Sequence, residues 1–417
     1  MREAQTEVLV VGAGPVGLWS ALLLAEAGLQ VTIIDREERT TARSYACALH
    51  SSTLALLERL DLATEIVKRG RRIERVLFCD QTGPRAQLSL AALGGDFPFL
   101  LILPQSELEG VLEERLRGAG VKVQWNYRFA DFADEPETVA VTIEELRGTG
   151  TGYIVPHWET VVHDRVSLQA QFIIGTDGQN SLVRQRLGID FERLTGIDSF
   201  AAYEFESDRP LDEELRVVLG RTLDVLWPLP GNRCRWTYQV LRSEMSPDFP
   251  EKERRSARLV QPNVDERIRA YVQKVAQQRA PWFSAGVKEI AWCTEVSFEH
   301  RMVKEFGRKR CWLAGDAAHQ TGPAGVQSMN AGFLEAERLT RIMRNFLRQQ
   351  TGLANLAAYD HEQREQWRRL LGLTGGLKGR SDTDPWVRDN ASRILSCLPA
   401  SGPDVARLAA QLKLDFL

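Results

Sequence analysis

The chain opens with Glu7-Val-Leu-Val-Val-Gly12-Ala-Gly14-Pro-Val-Gly17, an apolar run that ends in a glycine-rich turn. A helical pattern follows and stops at Gly28, and a second apolar run then closes on Asp35, eighteen residues after Gly17. Strand, glycine turn, helix, strand and acid occur here in the order of a dinucleotide-binding βαβ unit. The opening therefore predicts a Rossmann-like domain rather than an ordinary strand-turn-helix.

The three glycines of this turn have separate functions in such a unit. Gly12 permits the tight turn after the strand, Gly14 lets backbone N–H groups approach a pyrophosphate, and Gly17 lets the helix pack closely on the sheet. The helix N-terminus directs unpaired N–H donors and partial positive charge at the phosphates. Asp35 can accept hydrogen bonds from a ribose diol and disfavours a 2′-phosphate, which favours FAD or NAD over NADP at this site.

Length and charge limit the class of protein and of partner. The 417 residues suffice for two domains or one large one, and an apolar content of 43% supports a substantial core. A net charge of -3 with interspersed acids and bases provides no basic stripe for nucleic acid and no polybasic membrane anchor. We therefore expect a small-molecule substrate, no nucleic acid, and a monomer or homodimer.

Cysteine usage and hydropathy bear on compartment and metal binding. The six cysteines are scattered without Cys-x-x-Cys spacing, so we expect neither a zinc site nor a disulfide framework. The apolar stretch at residues 18–24 is too short to span a bilayer, and no signal peptide precedes the first strand. These features predict a cytoplasmic protein with no membrane span and no metal.

A second helical pattern begins at Pro104-Gln105-Ser106 and stops at Gly118, with Ser106 and Glu109 at the spacing of a capping box. Farther along, the glycines at positions 148, 150 and 152 precede no amphipathic helix and predict a hairpin or loop. With a single glycine fingerprint, the chain is expected to hold one dinucleotide tightly. Any second dinucleotide would bind transiently.

Residues 200–239 alternate between apolar and polar side chains, which predicts an antiparallel sheet. Its aromatic positions include Tyr203, Phe205, Trp236 and Tyr238. Such a face needs a partner surface, and a cofactor domain interrupted by this sheet would leave a cavity between the two. The alternative is that these aromatic side chains are plain core.

Two more strands are followed by polar turns, Asp177-Gly178 and Gly315-Asp316. A loop containing Gly322, Pro323 and Gly325 follows the second turn, and a long helix is predicted from about Asn330. The Asp316 carboxylate is suited to accept a hydrogen bond from a ribitol or ribose hydroxyl, directly or through water.

Together these stretches resemble the single-component FAD-dependent aromatic hydroxylases, the family of p-hydroxybenzoate hydroxylase. The resemblance spans about residues 6–345 and rests on Gly12-x-Gly14-x-x-Gly17, Arg43, Pro104-Gln105 with Glu109, Asp177-Gly178 through Arg184, and Gly315-Asp316 through Asn330. It implies an α/β fold, in which a Rossmann-like FAD-binding domain carries an inserted antiparallel-sheet substrate domain and a helical C-terminal segment. The FAD domain would comprise residues 1–76, 101–190 and 291–345, the substrate domain residues 77–100 and 191–290, and the C-terminal segment residues 346–417.

The same resemblance implies a set of contacts to non-covalently bound FAD. Besides the glycine fingerprint and Asp35, these contacts would come from Arg43, Gln105, Asp177, Gly178, Gly315, Asp316, Pro323, Gly325 and Asn330. Asp177 and Gly178 would also serve an incoming nicotinamide, and Asp316 would hold the ribitol-pyrophosphate region. Pro323 and the loop at residues 325–330 would lie against the flavin ring.

The sequence departs from the family at Ser328, where the family's loop has glycine. A serine adds a side chain where backbone amides are expected to approach the flavin ring. Pro323 and Ser328 are therefore candidates for residues near the reacting atoms. No Ser-His-Asp or metal constellation is present in the sequence, so the resemblance implies flavin-centred chemistry without a predicted catalytic side chain.

His319 and Cys47 each have two interpretations, whereas His50 and His157 have none. His319 could carry a proton, but a structural histidine in the turn beneath the cofactor is favoured. Cys47 could attach covalently to a flavin, but a small buried cysteine is favoured. His50 and His157 have no detectable partner in the sequence.

The resemblance implies a monooxygenase. NADPH or NADH would reduce FAD, oxygen would add at the flavin C4a atom, and the hydroperoxide would deliver one oxygen to an electron-rich aromatic small molecule, as in secondary metabolism. One alternative is a flavin-dependent reductase or dehydrogenase of the same fold without oxygen insertion. Another is a catalytically inactive flavin-bound binding protein.

Overall fold

The structure is a computed structural model and describes residues 4–39, 48–151, 157–241, 262–349 and 352–417. The helices in chain order are α1 (Pro15–Glu26), α2 (Ser51–Glu58), α3 (Ala63–Arg69), α4 (Gln105–Gly118), α5 (Leu182–Arg186), α6 (Pro262–Arg279), α7 (Gln327–Gln349), α8 (Ala354–Leu370), α9 (Pro385–Asp389), α10 (Ala391–Leu395) and α11 (Asp404–Gln411).

The first eight strands lie between residues 4 and 125. They are β1 (Ala4–Val11), β2 (Val31–Asp35), β3 (Ala48–Leu49), β4 (Arg71–Ile73), β5 (Arg75–Asp80), β6 (Gly83–Ser89), β7 (Leu100–Ile102) and β8 (Val123–Trp125). The remaining strands are β9 (Tyr127–Asp134), β10 (Val139–Thr151), β11 (His157–Gly175), β12 (Phe191–Ser207), β13 (Glu214–Leu219), β14 (Leu223–Leu229), β15 (Arg233–Val240), β16 (Val287–Val303), β17 (Gly307–Arg308), β18 (Cys311–Leu313), β19 (His319–Gln320), β20 (Leu377–Gly379) and β21 (Leu414–Phe416).

The first sheet is built around β1, which pairs in parallel with β2 on one side and β11 on the other. Parallel pairing continues from β2 to β8 and from β11 to β18, and β10 and β9 extend the sheet with antiparallel pairing. The side chains of Val8, Leu9 and Val10 are wholly buried, as expected for a strand covered on both faces. Helices α1 and α7 contact each other through Trp19 and Phe333, whose rings stack with centroids 5.7 Å apart.

The parallel strands end at one edge of this sheet, and backbone hydrogen bonds join the turns that follow them. The N–H of Gly12 donates to the carbonyl of Ile34 (2.8 Å), and the N–H of Thr176 donates to the carbonyl of Val11 (2.8 Å). The N–H of Ala314 donates to the carbonyl of Gly175 (3.1 Å). The carboxyl edge of a parallel sheet is where open α/β folds bind ligands. Turns predicted separately from the sequence therefore meet at the expected binding edge.

The second sheet has eight strands in the order β19-β16-β12-β15-β14-β13-β5-β6. Its pairings are antiparallel except for the parallel pair β13 and β5. Tyr203, Trp236 and Tyr238 form a buried core with Val272 and Ala276 of α6. The partner surface of the aromatic face is therefore α6, and these aromatic side chains are core residues.

The C-terminal segment covers both sheets. Trp367 of α8 belongs to the core of the first sheet, while Leu395 of α10 and Leu408 of α11 pack with Val217 and Trp227 of the second sheet. The pair β20 and β21 adds a small antiparallel ribbon to this mainly helical segment. The predicted α/β fold with an antiparallel second sheet is confirmed, whereas the domain boundaries stay a prediction. Within the described ranges, none of the helices has the length and apolar content needed to cross a membrane.

Candidate cofactor and substrate site

The glycine turn has the geometry that its sequence predicts. Gly12 has a φ of +103°, and a Cβ there would lie 2.4 Å from the carbonyl oxygen of Thr176. A Cβ on Gly17 would lie 1.9 Å from the carbonyl oxygen of Gly12, so Gly17 is required for the helix to approach the turn. A Cβ on Gly14, in contrast, would meet no atom within 4 Å. The space beside Gly14 is therefore open to a ligand.

Asp35 holds the end of β2 against this turn. One carboxylate oxygen accepts a hydrogen bond from the N–H of Ala13 (2.6 Å), and the other accepts from the N–H of Glu37 (2.8 Å). The side chain is half-buried. Asp35 therefore connects the two strands of the βαβ unit while remaining accessible from the binding edge.

A cavity of about 300 Å³, here named the dinucleotide cavity, lies at this edge. Six residues predicted to contact the cofactor line it: Gly12, Gly14, Asp35, Gln105, Asp177 and Gly178. Trp125, Tyr127 and Arg128 also line it and were not predicted. The sequence signal for them is indirect, since Trp125 ends β8 and the other two follow it, and only the pairing reveals the place of β8 beside β2.

Gln105 is the first residue of α4, which follows Pro104 directly. The predicted capping box of Ser106 and Glu109 is wrong, because no side chain caps the N-terminus of this helix. Instead, the amide of Gln105 donates to a carboxylate oxygen of Glu109 (2.7 Å) one turn later. The N-cap is Pro104 rather than Ser106, so the helix begins two residues earlier than the serine pattern indicates.

Asp177 fixes the turn at the end of β11. Its carboxylate accepts hydrogen bonds from the hydroxyl of Ser181 (2.5 Å) and from the N–H groups of Leu182 (2.6 Å) and Val183 (3.2 Å). Burial raises the pKa of the Asp177 carboxyl, and these hydrogen bonds oppose the shift. The turn continues through Gly178 at a φ of +77°, which favours glycine.

The turn at Gly315 and Asp316 is held from behind by Glu335 of α7. The Glu335 carboxylate accepts from the N–H of Gly315 (3.1 Å), the Nε2 of His319 (2.8 Å) and the indole of Trp367 (2.6 Å). His319 is fully buried and stacks on Trp367 with ring centroids 3.7 Å apart. These contacts favour the structural interpretation of His319, as a support of the turn.

The Asp316 side chain is exposed, unlike those of Glu335 and His319, and no residue in the described part of the chain donates a hydrogen bond to it. Desolvation by the surrounding protein raises the pKa of the Asp316 carboxyl, although part of the side chain is exposed to solvent. An acceptor with no protein partner at the binding edge is suited to a ligand hydroxyl.

The loop that precedes α7 differs from its prediction. The helix begins at Gln327 rather than near Asn330, so Ser328 lies in the first helical turn. The Ser328 hydroxyl accepts a hydrogen bond from the N–H of Thr321 (3.1 Å). Its oxygen is therefore occupied within the protein and joins the two ends of the loop.

Asn330 is fully buried, and protein groups use its side chain completely. Its oxygen accepts from the N–H of His50 (2.8 Å) and the hydroxyl of Thr53 (2.7 Å). Its nitrogen donates to the carbonyls of Ala48 (3.0 Å) and Val326 (2.8 Å). The Asn330 side chain thus holds the loop in place, and any contact of this residue with a flavin would come from its backbone.

His50 has partners, contrary to the sequence interpretation. Its Nε2 lies 2.9 Å from the carbonyl oxygen of Gly325, and its Nδ1 lies 2.8 Å from the hydroxyl of Ser401. Because a carbonyl only accepts, Nε2 carries the proton and Nδ1 accepts from the serine. Burial lowers the pKa of His50 to about 4 and keeps the ring neutral. The residues involved are 275 and 351 positions apart, which is why the sequence did not show them.

Gly325 lies against the C-terminal segment. A Cβ at this position would lie 2.7 Å from the carbonyl oxygen of Ser396 and 3.1 Å from that of Leu398. The amide of Gln327 donates to the carbonyls of Leu395 (3.2 Å) and Leu398 (3.3 Å). The loop predicted to contact the flavin ring is therefore supported on one side by the residues that follow α10.

A second cavity, of about 170 Å³, lies between the second sheet and this loop and is named the sheet cavity. The strands and the loop contribute Asp198, Phe200, Leu223, Gln239, Phe298, His300, Gly322 and Ala324, and the C-terminal segment contributes Arg393 and Ser396. None of these polar residues was predicted as a site residue. Alternation in a strand marks two faces, but it does not show which face meets a ligand.

His300 is the titratable base of the sheet cavity. A side chain at Gly322 would come within 3.5 Å of its Nε2, so the glycine leaves that nitrogen uncovered. Burial lowers the pKa of His300, and the negative charge of Asp198 opposes part of this shift. The imidazole is therefore neutral near pH 7 and able to accept a proton.

Four sequence predictions remain without a structural test. Arg43 and Cys47 lie outside the described residues, and the side chain of His157 also lies outside them. Pro323 is half-buried in the loop between β19 and α7.

The dinucleotide cavity fits FAD on the chain's own geometry. The open space beside Gly14 adjoins the N-terminus of α1, whose N–H groups suit a pyrophosphate. Asp35 is accessible at one end of the binding edge, and Asp316 offers an acceptor that none of the described residues uses. The donor and acceptor types therefore match a nucleotide with a hydroxylated chain.

Comparison with known proteins agrees with this geometry. A family model described as FAD binding domain matches residues 5–373. The chain is 30% identical over 376 residues to the 6-methylpretetramide 4-monooxygenase of Streptomyces rimosus, with 88% of this chain and 61% of that protein covered. It is 26% identical over 406 residues to the para-nitrophenol 4-monooxygenase of Pseudomonas sp. (strain WBC-3), with 92% and 90% covered.

A solved structure shows the same fold over nearly the whole chain. The p-nitrophenol 4-monooxygenase PnpA from Pseudomonas putida DLL-E4 aligns with a TM-score of 0.73 at 22% identity, covering 98% of this chain and 94% of that one. The chain thus spans about three fifths of the 6-methylpretetramide 4-monooxygenase and most of the para-nitrophenol 4-monooxygenase. With the family model matched over most of its length, the chain belongs to the FAD-binding flavoprotein family of the aromatic hydroxylases.

Proposed function

We propose that this protein is an FAD-dependent monooxygenase that hydroxylates an electron-rich aromatic small molecule with NADPH or NADH and O2. The observation that supports this most is the presence of two separate cavities, one at the turns of the first sheet and one beside the loop that follows Asp316. The dinucleotide cavity adjoins the turns of the first sheet, and the sheet cavity touches the loop that continues from Asp316 through Gly322 and Ala324. A cofactor reaching along this edge would bring its ring to a separate substrate pocket.

The residues proposed to hold FAD follow the binding edge. Gly12, Gly14, Gly17, Asp35, Gln105, Asp177 and Gly178 would hold the nucleotide half, together with Arg43. Gly315, Asp316, Pro323, Gly325 and Asn330 would hold the ribitol and ring half, with Asn330 acting through its backbone. When bound, the flavin supplies the redox chemistry that activates dioxygen. The chain itself positions the substrate and excludes water.

The substrate is proposed to be a phenol with a single ring. The sheet cavity has about 170 Å³, which is similar to the ~150 Å³ of an engineered cavity that holds benzene. This size favours a substrate like the one in the name of the para-nitrophenol relative over a tetracyclic one. Phe200 and Phe298, whose rings lie edge to face at 5.8 Å, would contact the ring.

His300 is proposed as the group that takes the phenolic proton. A neutral imidazole beside the substrate hydroxyl would accept the proton as the ring becomes more electron-rich and more reactive toward an electrophilic oxygen. Asp198 would stabilise the resulting imidazolium, since its negative charge already favours the protonated ring.

The finer features of the protein are also proposals. The reductant would bind transiently near Asp177 and Gly178, because the sequence has one glycine fingerprint. We further propose a cytoplasmic protein that is a monomer or homodimer.

Reconstitution tests this function directly. The purified protein should be yellow or become yellow with added FAD, and 4-nitrophenol or phenol should stimulate NAD(P)H oxidation and oxygen uptake together. Oxidation of NAD(P)H with reduction of the organic substrate and no oxygen uptake would favour the reductase alternative. A flavin-loaded protein that no phenol stimulates would favour the binding-protein alternative.

A further inference from the structure

The C-terminal segment contributes a fixed cation to the sheet cavity. Arg393 of α10 lines the cavity, and its guanidinium donates hydrogen bonds to the carbonyls of Gly220 (2.7 Å) and Thr222 (2.7 Å). These carbonyls belong to the turn between β13 and β14, next to Leu223, which also lines the cavity. Two backbone carbonyls thus hold the guanidinium at the cavity wall without neutralising it.

The charge of Arg393 has no protein counter-ion in the described part of the chain, since no carboxylate there lies within ion-pair distance. Asp198 shares the cavity, but it accepts a hydrogen bond from the amide of Gln239 (2.9 Å) and acts electrostatically on His300. Arg393 is half-buried. A partly desolvated guanidinium without a counter-ion is costly, and an anionic ligand would offset that cost.

We propose that Arg393 is a specificity-determining residue that binds an anionic substituent, such as a carboxylate, on a single-ring aromatic substrate. This rests on the proposed function, because the ligand is the substrate of the same site. A guanidinium has five N–H donors, of which two bind the backbone carbonyls and a third lies 3.5 Å from the side-chain oxygen of Asn390. The remaining donors can bind a carboxylate while the ring packs against Phe200 and Phe298.

The proposal gives the C-terminal segment a direct part in recognition. Residues 391–398 support the loop at Gly325 and Gln327 and also bring Arg393 to the substrate. The substituent bound by Arg393 would fix the orientation of the ring, and so the carbon atom that faces the cofactor domain.

Ligand binding without turnover separates this proposal from the proposed function. Benzoate and benzamide have nearly the same shape and differ in charge, and neither needs to react. Calorimetric titration of the FAD-loaded wild type should show benzoate binding roughly tenfold or more tightly than benzamide, the value expected for hydrogen bonds to a charged group. Arg393→Gln should abolish this preference while benzamide affinity stays within a few-fold.

Arg388→Gln is the matched control. Arg388 also donates to backbone carbonyls of the C-terminal segment, those of Arg380, Ser381 and Thr383, but it does not line the sheet cavity. This variant should keep the benzoate preference. If Arg393→Gln fails to fold, the wild-type comparison still decides, and Arg393→Lys should keep part of the preference through its charge.

Equal binding of benzoate and benzamide by the wild type would overturn the proposal, as would a full preference in a folded Arg393→Gln variant. A benzoate preference in a protein that never consumes oxygen with any phenol would leave the proposal standing and refute the monooxygenase function. The two failures are therefore distinguishable.

Discussion

The hydroxyl of Ser328 accepts a hydrogen bond from the backbone N–H of Thr321 at 3.1 Å, which joins the two ends of the loop that precedes α7. Ser328 lies inside the helix, so the extra side chain stabilises this loop rather than crowding its centre. We therefore expect the departure from the family's glycine to leave turnover intact.

Removing this hydrogen bond should loosen the loop and impair coupling. In Ser328→Ala the N–H of Thr321 loses its acceptor, which should cost about 1 kcal/mol of stability. Substrate-stimulated NAD(P)H oxidation should stay within a few-fold, while the fraction of oxygen released as hydrogen peroxide should rise. Thr340→Ala removes a hydroxyl bonded to Ala336 farther along α7 and should leave the peroxide fraction unchanged. Unaltered coupling in Ser328→Ala would show that the bond is irrelevant to catalysis.

Substitutions at two glycines of the fingerprint should have opposite effects, one on FAD affinity and the other on the stability of the fold. Gly14→Val should fold with nearly wild-type thermal stability, because its Cβ meets open space, but its FAD affinity should fall roughly tenfold or more. Gly17→Ala should instead destabilise the fold by about 3 kcal/mol or more, because its Cβ would overlap the carbonyl oxygen of Gly12. Thermal melts of the flavin-free proteins and flavin titrations separate the two effects. Full FAD affinity in Gly14→Val would place the pyrophosphate elsewhere.

Asp316 should contribute to FAD affinity and contribute little to the stability of the fold. Asp316→Ala removes an acceptor that no described group uses, so the flavin-free protein should keep its melting temperature. Its FAD dissociation constant should rise by about 10- to 100-fold, as expected for losing a hydrogen bond to a charged group. Glu335→Gln changes the buried support of the same turn and should lower both stability and flavin affinity. A loss of stability without a loss of flavin in Asp316→Ala would contradict the assigned role.

His300 should give the pH profile an acid limb. Burial lowers its pKa below the usual 6.5, so the ring is neutral at pH 7 and becomes protonated as the pH falls. Because the protonated ring cannot accept the phenolic proton, kcat/KM should decrease as the pH falls through this lowered pKa. His300→Gln should reduce kcat/KM at pH 7.5 by about 100-fold and remove the limb. His361→Gln, an exposed position on α8, is the control, and a limb that persists in His300→Gln would assign it to another group.

The sequence was sufficient for features that are local in the chain. The fingerprint from Gly12 to Gly17, the acid at Asp35 and the turns at Asp177 and Asp316 each carry their signal within a few residues. Backbone geometry imposes glycine at positions 12 and 17, since a φ of +103° at the first and a clash at 1.9 Å at the second exclude most alternatives. The family resemblance then implied that these residues lie together along one binding edge.

Contacts that depend on distant pairing could not be predicted. His50 meets Gly325 and Ser401 across 275 and 351 positions, and nothing near His50 indicates either partner. The same holds for Arg393, whose turn lies more than 170 positions away. The predicted first residues of two helices were also wrong. Gln105 and Gln327 begin these helices ahead of the serine and the asparagine that the sequence patterns favoured. Aromatic alternation identified the second sheet but could not show that its aromatic face packs on α6.

The central claim is that this protein inserts an oxygen atom from O2 into an aromatic ring. The most direct measurement uses ¹⁸O2 with the FAD-loaded protein, NAD(P)H and a phenol that stimulates turnover, followed by mass spectrometry of the product. The monooxygenase account predicts one ¹⁸O atom in each hydroxylated product molecule. A product formed at full turnover without any ¹⁸O would contradict the account and assign the protein to the reductase alternative.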